Sequence, residues 1–242
     1  MKKTYEFREI TDQIELESAF RLRYDVFTDC RCKSLVKENI HRMDVDVFDL
    51  HAHHYGIFHN SEMIAYIRVV ESRHNYTNQT AVAVQDKYPD IFEAEGNAEF
   101  PFLSYAGMPK SARIFYKKNQ PKTPFFEGSR LVVTKEYRSL KLARAIVECA
   151  IVAGMHLAGT KIGLAAISCC VSHERFYKLL GFQRITPDTT YSIFDEDCPC
   201  IATTLILPLT QSITSSIPAG LHPLFENLTG QYGINGRIIR EI

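Results

Sequence analysis

Phe126-Glu127-Gly128-Ser129-Arg130-Leu131-Val132-Val133, followed by Thr134-Lys135-Glu136-Tyr137-Arg138, is the stretch on which the reading of the whole chain turns. It reads as a strand that brings a carboxylate, a hydroxyl and a guanidinium to one place, ends in Leu-Val-Val and feeds a short turn into a helix. Charge inside an apolar strand is tolerated only where it is paired or where the strand faces a cleft. A structural ion pair and a reactive cleft are both open at this point.

After this strand, Leu142 or Ala143, Ile146, Val147, Ala150, Ile151, Gly154 and Leu157 recur at helical spacing and predict a long amphipathic helix. Ile162 to Ile167 predicts a buried strand, Ser172 to Leu180 a helix closed by Gly181, and Ile201 to Leu207 a last strand. Ser, Thr, Gly and Pro are scattered from Pro208 to Ile242. The organisation expected is one domain over 1–207 and a C-terminal extension of uncertain order over 208–242.

Before the central strand, His53 to His59 and Met63 to Val70 predict a hairpin turning at Asn60-Ser61, with Arg68 inside its second strand. Tyr5 to Ile10 reads as a first strand. From about Asp12, Leu16, Phe20, Arg23 and Phe27 share one helical face, so Arg23 sits in an apolar stripe and needs a carboxylate or a substrate anion. Asp44, Asp46 and Asp49 precede the hairpin and are expected either to join Arg23, Arg68 and Arg130 in one network or simply to cap and solvate a loop. Residues 71–124 carry a weak helical signal near Ala81 to Phe92 and an apolar anchor at Ala98 to Leu103, and read as a cover over a site.

Composition narrows the function classes. The 242 residues are 45% hydrophobic and 23% charged, with 28 basic and 28 acidic side chains, so overall charge gives no reason to expect a nucleic acid partner. No apolar leader and no run of about 18 uncharged apolar residues is present, and a cytoplasmic protein without a transmembrane segment is expected. Seven cysteines, an odd number, read as thiols. Cys30 and Cys32, Cys169 and Cys170, and Cys198 and Cys200 are close pairs, but with His51, His53 and His54 they lack the spacing of a zinc site, so no metal is expected.

The order of elements is an α/β arrangement around a mixed sheet, and its motifs resemble a family. Tyr177-Lys178-Leu179-Leu180-Gly181-Phe182 is similar to the Y-x-x-x-G-F end of the GNAT acyltransferase superfamily. Arg23-Tyr24-Asp25-Val26-Phe27, Asp46-Val47-Phe48-Asp49, Arg68 and Glu127-Gly128-Ser129-Arg130 resemble, in order, the R-Y-x-V-F, D-x-F-D, R and E-x-S-R elements of its autoinducer-synthase-like branch. That branch comprises acyl-homoserine lactone synthases, N-acyl amino acid synthases and the acyltransferases of ornithine and glycine lipids. The resemblance implies a GNAT-like, mostly antiparallel central sheet flanked by helices.

Two departures shape the expectation. GNAT enzymes hold coenzyme A through Q/R-x-x-G-x-G/A, whereas the run here is Arg138-Ser139-Leu140-Lys141-Leu142-Ala143, with lysine at the first glycine. The donor that the branch resemblance implies, and that this departure suits, is an acyl-phosphopantetheine on acyl carrier protein, with acyl-CoA as the alternative, and Lys135, Arg138, Lys141 and Arg144 are the candidate docking surface for that acidic partner. The chain also has no tryptophan, whereas the resembled lactone synthases carry one near the position of Arg31 to Ser34, which points to a different amine acceptor.

Amide formation from a thioester needs an unprotonated amine, a stabilised oxyanion and a protonated leaving thiol. Glu127 is the candidate base and Tyr177 the candidate acid. Arg23, Phe27, Asp46, Asp49, Arg68, Ser129 and Arg130 are candidates for acceptor binding, and Leu131, Val132, Val133, Arg138, Lys141, Ala143 and Arg144 for the donor. The function expected is transfer of a fatty acyl group from acyl carrier protein to the amine of an amino acid or related metabolite. The alternatives are an acetyl-CoA-dependent N-acetyltransferase, an acyl-homoserine lactone synthase and a catalytically silent acyl-binding domain.

Overall fold

Alternating side chains lay down β1 (Thr4–Glu9), whose Tyr5 and Phe7 are buried while Glu6 and Arg8 take the other face. Asp12 starts α1 (Gln13–Thr28) by accepting from the Ile14 and Glu15 backbone N–H groups at 2.9 and 3.0 Å. A 3₁₀ turn, Val47–His51, capped by Asp46, leads into the hairpin of β2 (Ala52–His59) and β3 (Glu62–Glu71). Asn60 and Ser61 both adopt positive φ, 50° and 68°, as a two-residue turn matched to strand twist requires. This computed structural model describes residues 3–29, 36–72, 74–92, 98–105, 107–159, 161–186, 190–192, 201–209 and 216–242.

The cover contributes α2 (Gln79–Lys87), α3 (Pro101–Ser104) and α4 (Lys110–Asn119). Then follow β4 (Phe125–Val133), α5 (Leu140–Ala158), β5 (Gly163–Cys170), α6 (Glu174–Lys178), the short β6 (Gln183–Arg184) and β7 (Tyr191–Ser192), and β8 (Ile201–Leu209). The chain ends in α7 (His222–Asn235) and β9 (Arg237–Glu241). The sheet runs β6-β8-β5-β4-β3-β2-β1-β9, with β7 also on β8. Among the described residues every pairing is antiparallel except β4 with β5.

Helix α5 covers one face of the sheet, burying Ile146, Val147 and Ile151 in a core that includes Ile67, Val69, Phe126, Ile167 and Leu207. Phe100, Phe102, Tyr116 and Phe125 fill the opposite face beneath α3 and α4, and Leu16, Phe20, Phe58 and Tyr66 fill it beneath α1.

The feature that makes room for a site is where β4 leaves β5. Their ladder pairs Phe125–Gly128 with Leu164–Ile167 and stops there, while β5 continues along β8 as far as Cys170. Immediately beyond, Ser129 faces Arg68 and Val132 faces Tyr66, so Arg130 and Leu131 together oppose Ile67, and Arg130 takes φ +55°. A bulge of this kind bends its strand and increases its twist. The two parallel strands therefore fork after Gly128 and Ile167.

Three stretches differ from the sequence expectation. The cover holds two helices, α3 and α4, beyond its one weak helical signal, because α3 is a single turn and α4 is mostly polar. Helix α6 is shorter than expected, since Val171–His173 is 3₁₀ and Gly181 turns the chain with φ +97°. The C-terminal segment, scattered in sequence, buries Phe225, Leu228 and Tyr232 of α7 and pairs β9 with β1 along Thr4–Arg8. Cys30, Cys32, Cys198, Cys200 and the Arg31 to Ser34 stretch lie outside the described residues.

A Cβ at Gly181 would lie 2.4 Å from the Ser216 carbonyl oxygen, at a φ that side chains rarely adopt. Gly181→Ala is expected to cost about 2–4 kcal/mol in denaturant unfolding; a loss below about 0.5 kcal/mol would show that the turn relaxes freely.

Candidate active site

The fork is framed by a buried lattice of opposite charges. On α1, Arg23 donates from Nε to Asp44 Oδ2 at 2.8 Å and from Nη1 and Nη2 to both Asp49 oxygens at 2.7 and 3.1 Å. On β3, Arg68 donates to both Asp46 oxygens at 2.6 and 2.9 Å, to Asp49 Oδ1 at 2.8 Å and to Ser129 Oγ at 2.9 Å. Arg130, at the bulge of β4, reaches Asp46 Oδ2 at 3.2 Å and Asp44 Oδ2 at 3.4 Å, and lies over the Phe27 ring. Burial alone would raise both carboxyls, but Arg23 beside Asp49 and Arg68 beside Asp46 hold them below the usual range. The network expected among Arg23, Arg68, Arg130 and the three aspartates exists, and it includes Tyr66 and His54 as well.

Burial pushes His54 down to about 4, so it is neutral near pH 7. Its Nε2 lies 3.0 Å from the Asp49 carbonyl oxygen, which can only accept, so Nε2 carries the proton and Nδ1 accepts from the Tyr66 hydroxyl at 2.7 Å. That pair holds Tyr66 against Arg23 at 3.4 Å.

Glu127 sits at the apex of the fork, opposite Val70 on β3 and Ala166 on β5, and is fully buried. Its Oε2 accepts from the Phe102 backbone N–H at 2.9 Å, while Oε1 is buried with no hydrogen-bond partner among the described residues. Burial pushes this carboxyl up to about 8, opposed by the Phe102 N–H and by Arg68. With the Phe102 N–H on Oε2, the acid proton sits on Oε1 at neutral pH, and only the ionised carboxylate can accept one there.

The opposite side of the sheet is apolar at the same place. A partly open cavity of about 30 Å³ lies between α5 and the strands, lined by Gly128, Ile167, Val69, Phe126, Ile151 and Phe182 among others. Its lining includes Gly128 and Ile167, the last β4–β5 pair. Leu131, Val132 and Val133 follow on β4 past the fork, where β5 no longer accompanies the strand. Tyr177 on α6 is buried against Phe176 and Phe182, and burial pushes its phenol upward, so it stays protonated.

At the head of α5, Ser139 caps the helix by accepting from the Leu142 N–H at 3.2 Å. Lys135, Arg138 and Lys141 are exposed there around Leu140, itself 72% exposed, and no acidic residue lies in the first helical turn. Ala143 is half-buried one turn in, and Arg144 is drawn to Glu148 at 2.7 Å. Two groups of the cover had no place in the sequence expectation: the Phe102 N–H on Glu127, and Tyr105, whose buried phenol senses the Glu127 charge. Aromatic density around Phe100 to Tyr105 was the available signal, but not its target.

A known acetyltransferase (GNAT) domain pattern matches residues 22–99. Among solved structures, FeeM, an N-acyl amino acid synthase from uncultured soil microbes, superposes with a TM-score of 0.53 at 12% identity over 86% of this chain and 92% of its own. The acyl-homoserine lactone synthase LasI gives 0.53 at 13% identity over 90% and 98%, and MesI, a CoA-dependent acyl-homoserine lactone synthase, gives 0.53 at 16% over 95% and 96%. At such identities the likeness is one of fold. No curated protein is similar enough in sequence to count as a relative. No helix among the described residues is long and apolar enough to cross a membrane.

Because Glu127 has a raised carboxyl pKa when folded, the native state binds more protons than the unfolded chain between about 4.5 and about 8, and stability falls as pH rises through that window. Glu127→Gln, which mimics the neutral acid, is expected to gain melting temperature relative to the parent at pH 9 and not at pH 5. Parallel curves at both pH values would show that the carboxyl titrates normally.

Proposed function

We propose that this chain, a GNAT-type acyltransferase with the fold of the autoinducer-synthase-like branch, transfers a fatty acyl group from an acyl-phosphopantetheine on acyl carrier protein to the amine of an amino acid or related metabolite. The observation that carries this reading is the fork itself. Glu127 presents an unpaired oxygen on one face of β4, and the apolar cavity meets the last β4–β5 pair, one residue along, on the other. A thioester lying in the fork would point its acyl group to the apolar side, where the hollow of about 30 Å³ would have to widen to admit more than the first few carbons, and its attacking amine to the polar side.

In that arrangement the amine nitrogen bonds to the thioester carbonyl carbon and the C–S bond breaks. The amine's proton passes to Glu127, and Tyr177 protonates the leaving sulfur. Backbone N–H groups of Leu131 and Val132 are the candidates for the developing oxyanion, and Val133 for the pantetheine arm. With its carboxyl near 8, Glu127 is mostly protonated at pH 7, so turnover should climb as pH rises through about 8.

The donor reading rests on charge. Cations crowd the head of α5, where the helix dipole is already positive, and this stores a repulsion that an anion relieves. An acidic carrier protein meeting Lys135, Arg138 and Lys141, with Leu140 between them, satisfies that demand. Coenzyme A is the second reading, since the same helix end also fits a pyrophosphate. On the acceptor side, Arg23 and Arg68 are enclosed by aspartates, and Arg130 is the most exposed of the three, so it is the guanidinium an acceptor carboxylate would share. Phe27, Asp46, Asp49 and Ser129 would act on the acceptor by holding these guanidiniums in place.

The test is thiol release from acyl carrier protein charged with several chain lengths, against the same groups on coenzyme A, with a pooled amine mixture and mass analysis of products. Carrier-dependent release with a new N-acyl mass is expected, and Glu127→Gln is expected to lower kcat about 10²–10⁴-fold. Release only from acetyl-CoA would move the assignment to an N-acetyltransferase, and binding without release to a silent domain. A Cβ at Gly128 would meet Ile167 at 3.4 Å, so Gly128→Ala is expected to fold, narrow the mouth of the cavity and cut long-chain turnover more than acetyl turnover.

A further inference from the structure

Among the described residues the candidate base is held by a single hydrogen bond, from α3, and α3 is too short to hold itself. It is one turn of four residues, and an isolated helical turn is unstable because it fixes several dihedrals for one hydrogen bond. Its exit carbonyls are gripped from outside. Arg113 on α4 donates from Nη1 to the Leu103 oxygen at 2.8 Å and from Nη2 to the Tyr105 oxygen at 3.1 Å. Two carbonyls held by one planar guanidinium fix both position and orientation of the turn, which a lysine ammonium cannot do. Burial of Phe100 and Phe102 beneath Tyr116 is the turn's other anchor.

We infer that Arg113, which touches neither the fork nor the charge lattice, is a positioning residue whose grip on α3 keeps the Phe102 N–H on Glu127 and the Tyr105 phenol near it. The inference rests on the reading of Glu127 as base, but its first readout does not depend on turnover. Other groups acting on Glu127 are Arg68 from β3 and Asp46 from the segment before the 3₁₀ turn. Tyr105 from the cover and Tyr191 from β7 also sense its charge. Arg113 bonds to none of Arg68, Asp46 and Tyr191, and it holds Tyr105 by its carbonyl, so its loss should act through the Phe102 bond and the placement of Tyr105. Losing that bond removes a stabiliser of the carboxylate, and the carboxyl should rise further.

The experiment is a carbon-13 titration of the Glu127 carboxyl in the full chain, assigned with Glu127→Gln, for the parent, Arg113→Met and Arg113→Lys. Arg113→Met keeps the aliphatic stem, and Arg113→Lys serves if the first variant fails to fold. A rise of about one pH unit is expected for Met and a smaller one for Lys, with the acid limb of kcat moving alike and the donor KM unchanged. An unmoved Glu127 midpoint in a folded variant overturns the inference, whatever turnover does. A moved midpoint with an unmoved kcat limb upholds the positioning by Arg113 and overturns Glu127 as the base.

Discussion

Three guanidinium groups and three carboxylates, Arg23, Arg68 and Arg130 with Asp44, Asp46 and Asp49, share one buried lattice on which the geometry of the fork depends. Their charges cancel, which is what allows Arg23 and Arg68 to be 0% and 1% exposed. A buried ion pair is seldom worth more than a well-packed apolar substitute, whereas leaving one partner unmatched costs about 3–5 kcal/mol. Its value here is geometric. The lattice joins α1, the segment before the hairpin, β3 and β4, and it does so with bidentate bonds that have little angular freedom.

The lattice also sustains a strained backbone. A non-glycine residue at φ +55° costs about 1–3 kcal/mol and persists only where its surroundings over-determine it. Arg130 is such a residue, held on one side by Asp46 and Asp44 and on the other by the Phe27 ring. The bulge it forms turns β4 away from β5 just after their last pair. Because successive strand residues face opposite ways, that point offers a carboxyl on one face and an apolar hollow on the other.

The surrounding elements keep the two faces apart. Helix α5 closes the apolar side and is itself braced by the C-terminal segment. Glu148 of α5 is 1% exposed and receives Arg240 of β9 and Arg144 of its own helix, both at 2.7 Å. Tyr232 of α7 reaches Tyr55 of β2 at 3.4 Å. The cover closes the polar side through Phe102 and Tyr105, whose turn is fastened by α4.

Much of this was legible in the residues. The hairpin at Asn60-Ser61, the stripe that put Arg23 inside, the charged central strand and the helix after it followed from local pattern, whereas the meeting of three arginines with three aspartates was one of two arrangements that pattern left open. Motif order led to the mixed, mostly antiparallel sheet. What local pattern does not carry is contact between distant segments. The place of α7 and β9 depended on the free edge of β1, which no composition of residues 208–242 announces. The partner of Glu127 is a backbone N–H, and a backbone group has no sequence signature. The fork arises from a bulge whose strain is stabilised by side chains 84 and 86 residues away along the chain (Asp46 and Asp44 against Arg130). The sequence by itself determined that Arg23 had to meet an anion, because unpaired burial is too costly to permit anything else. Only the tertiary structure decided where the strands part and which oxygen is left without a partner, because both depend on how the whole sheet twists and packs.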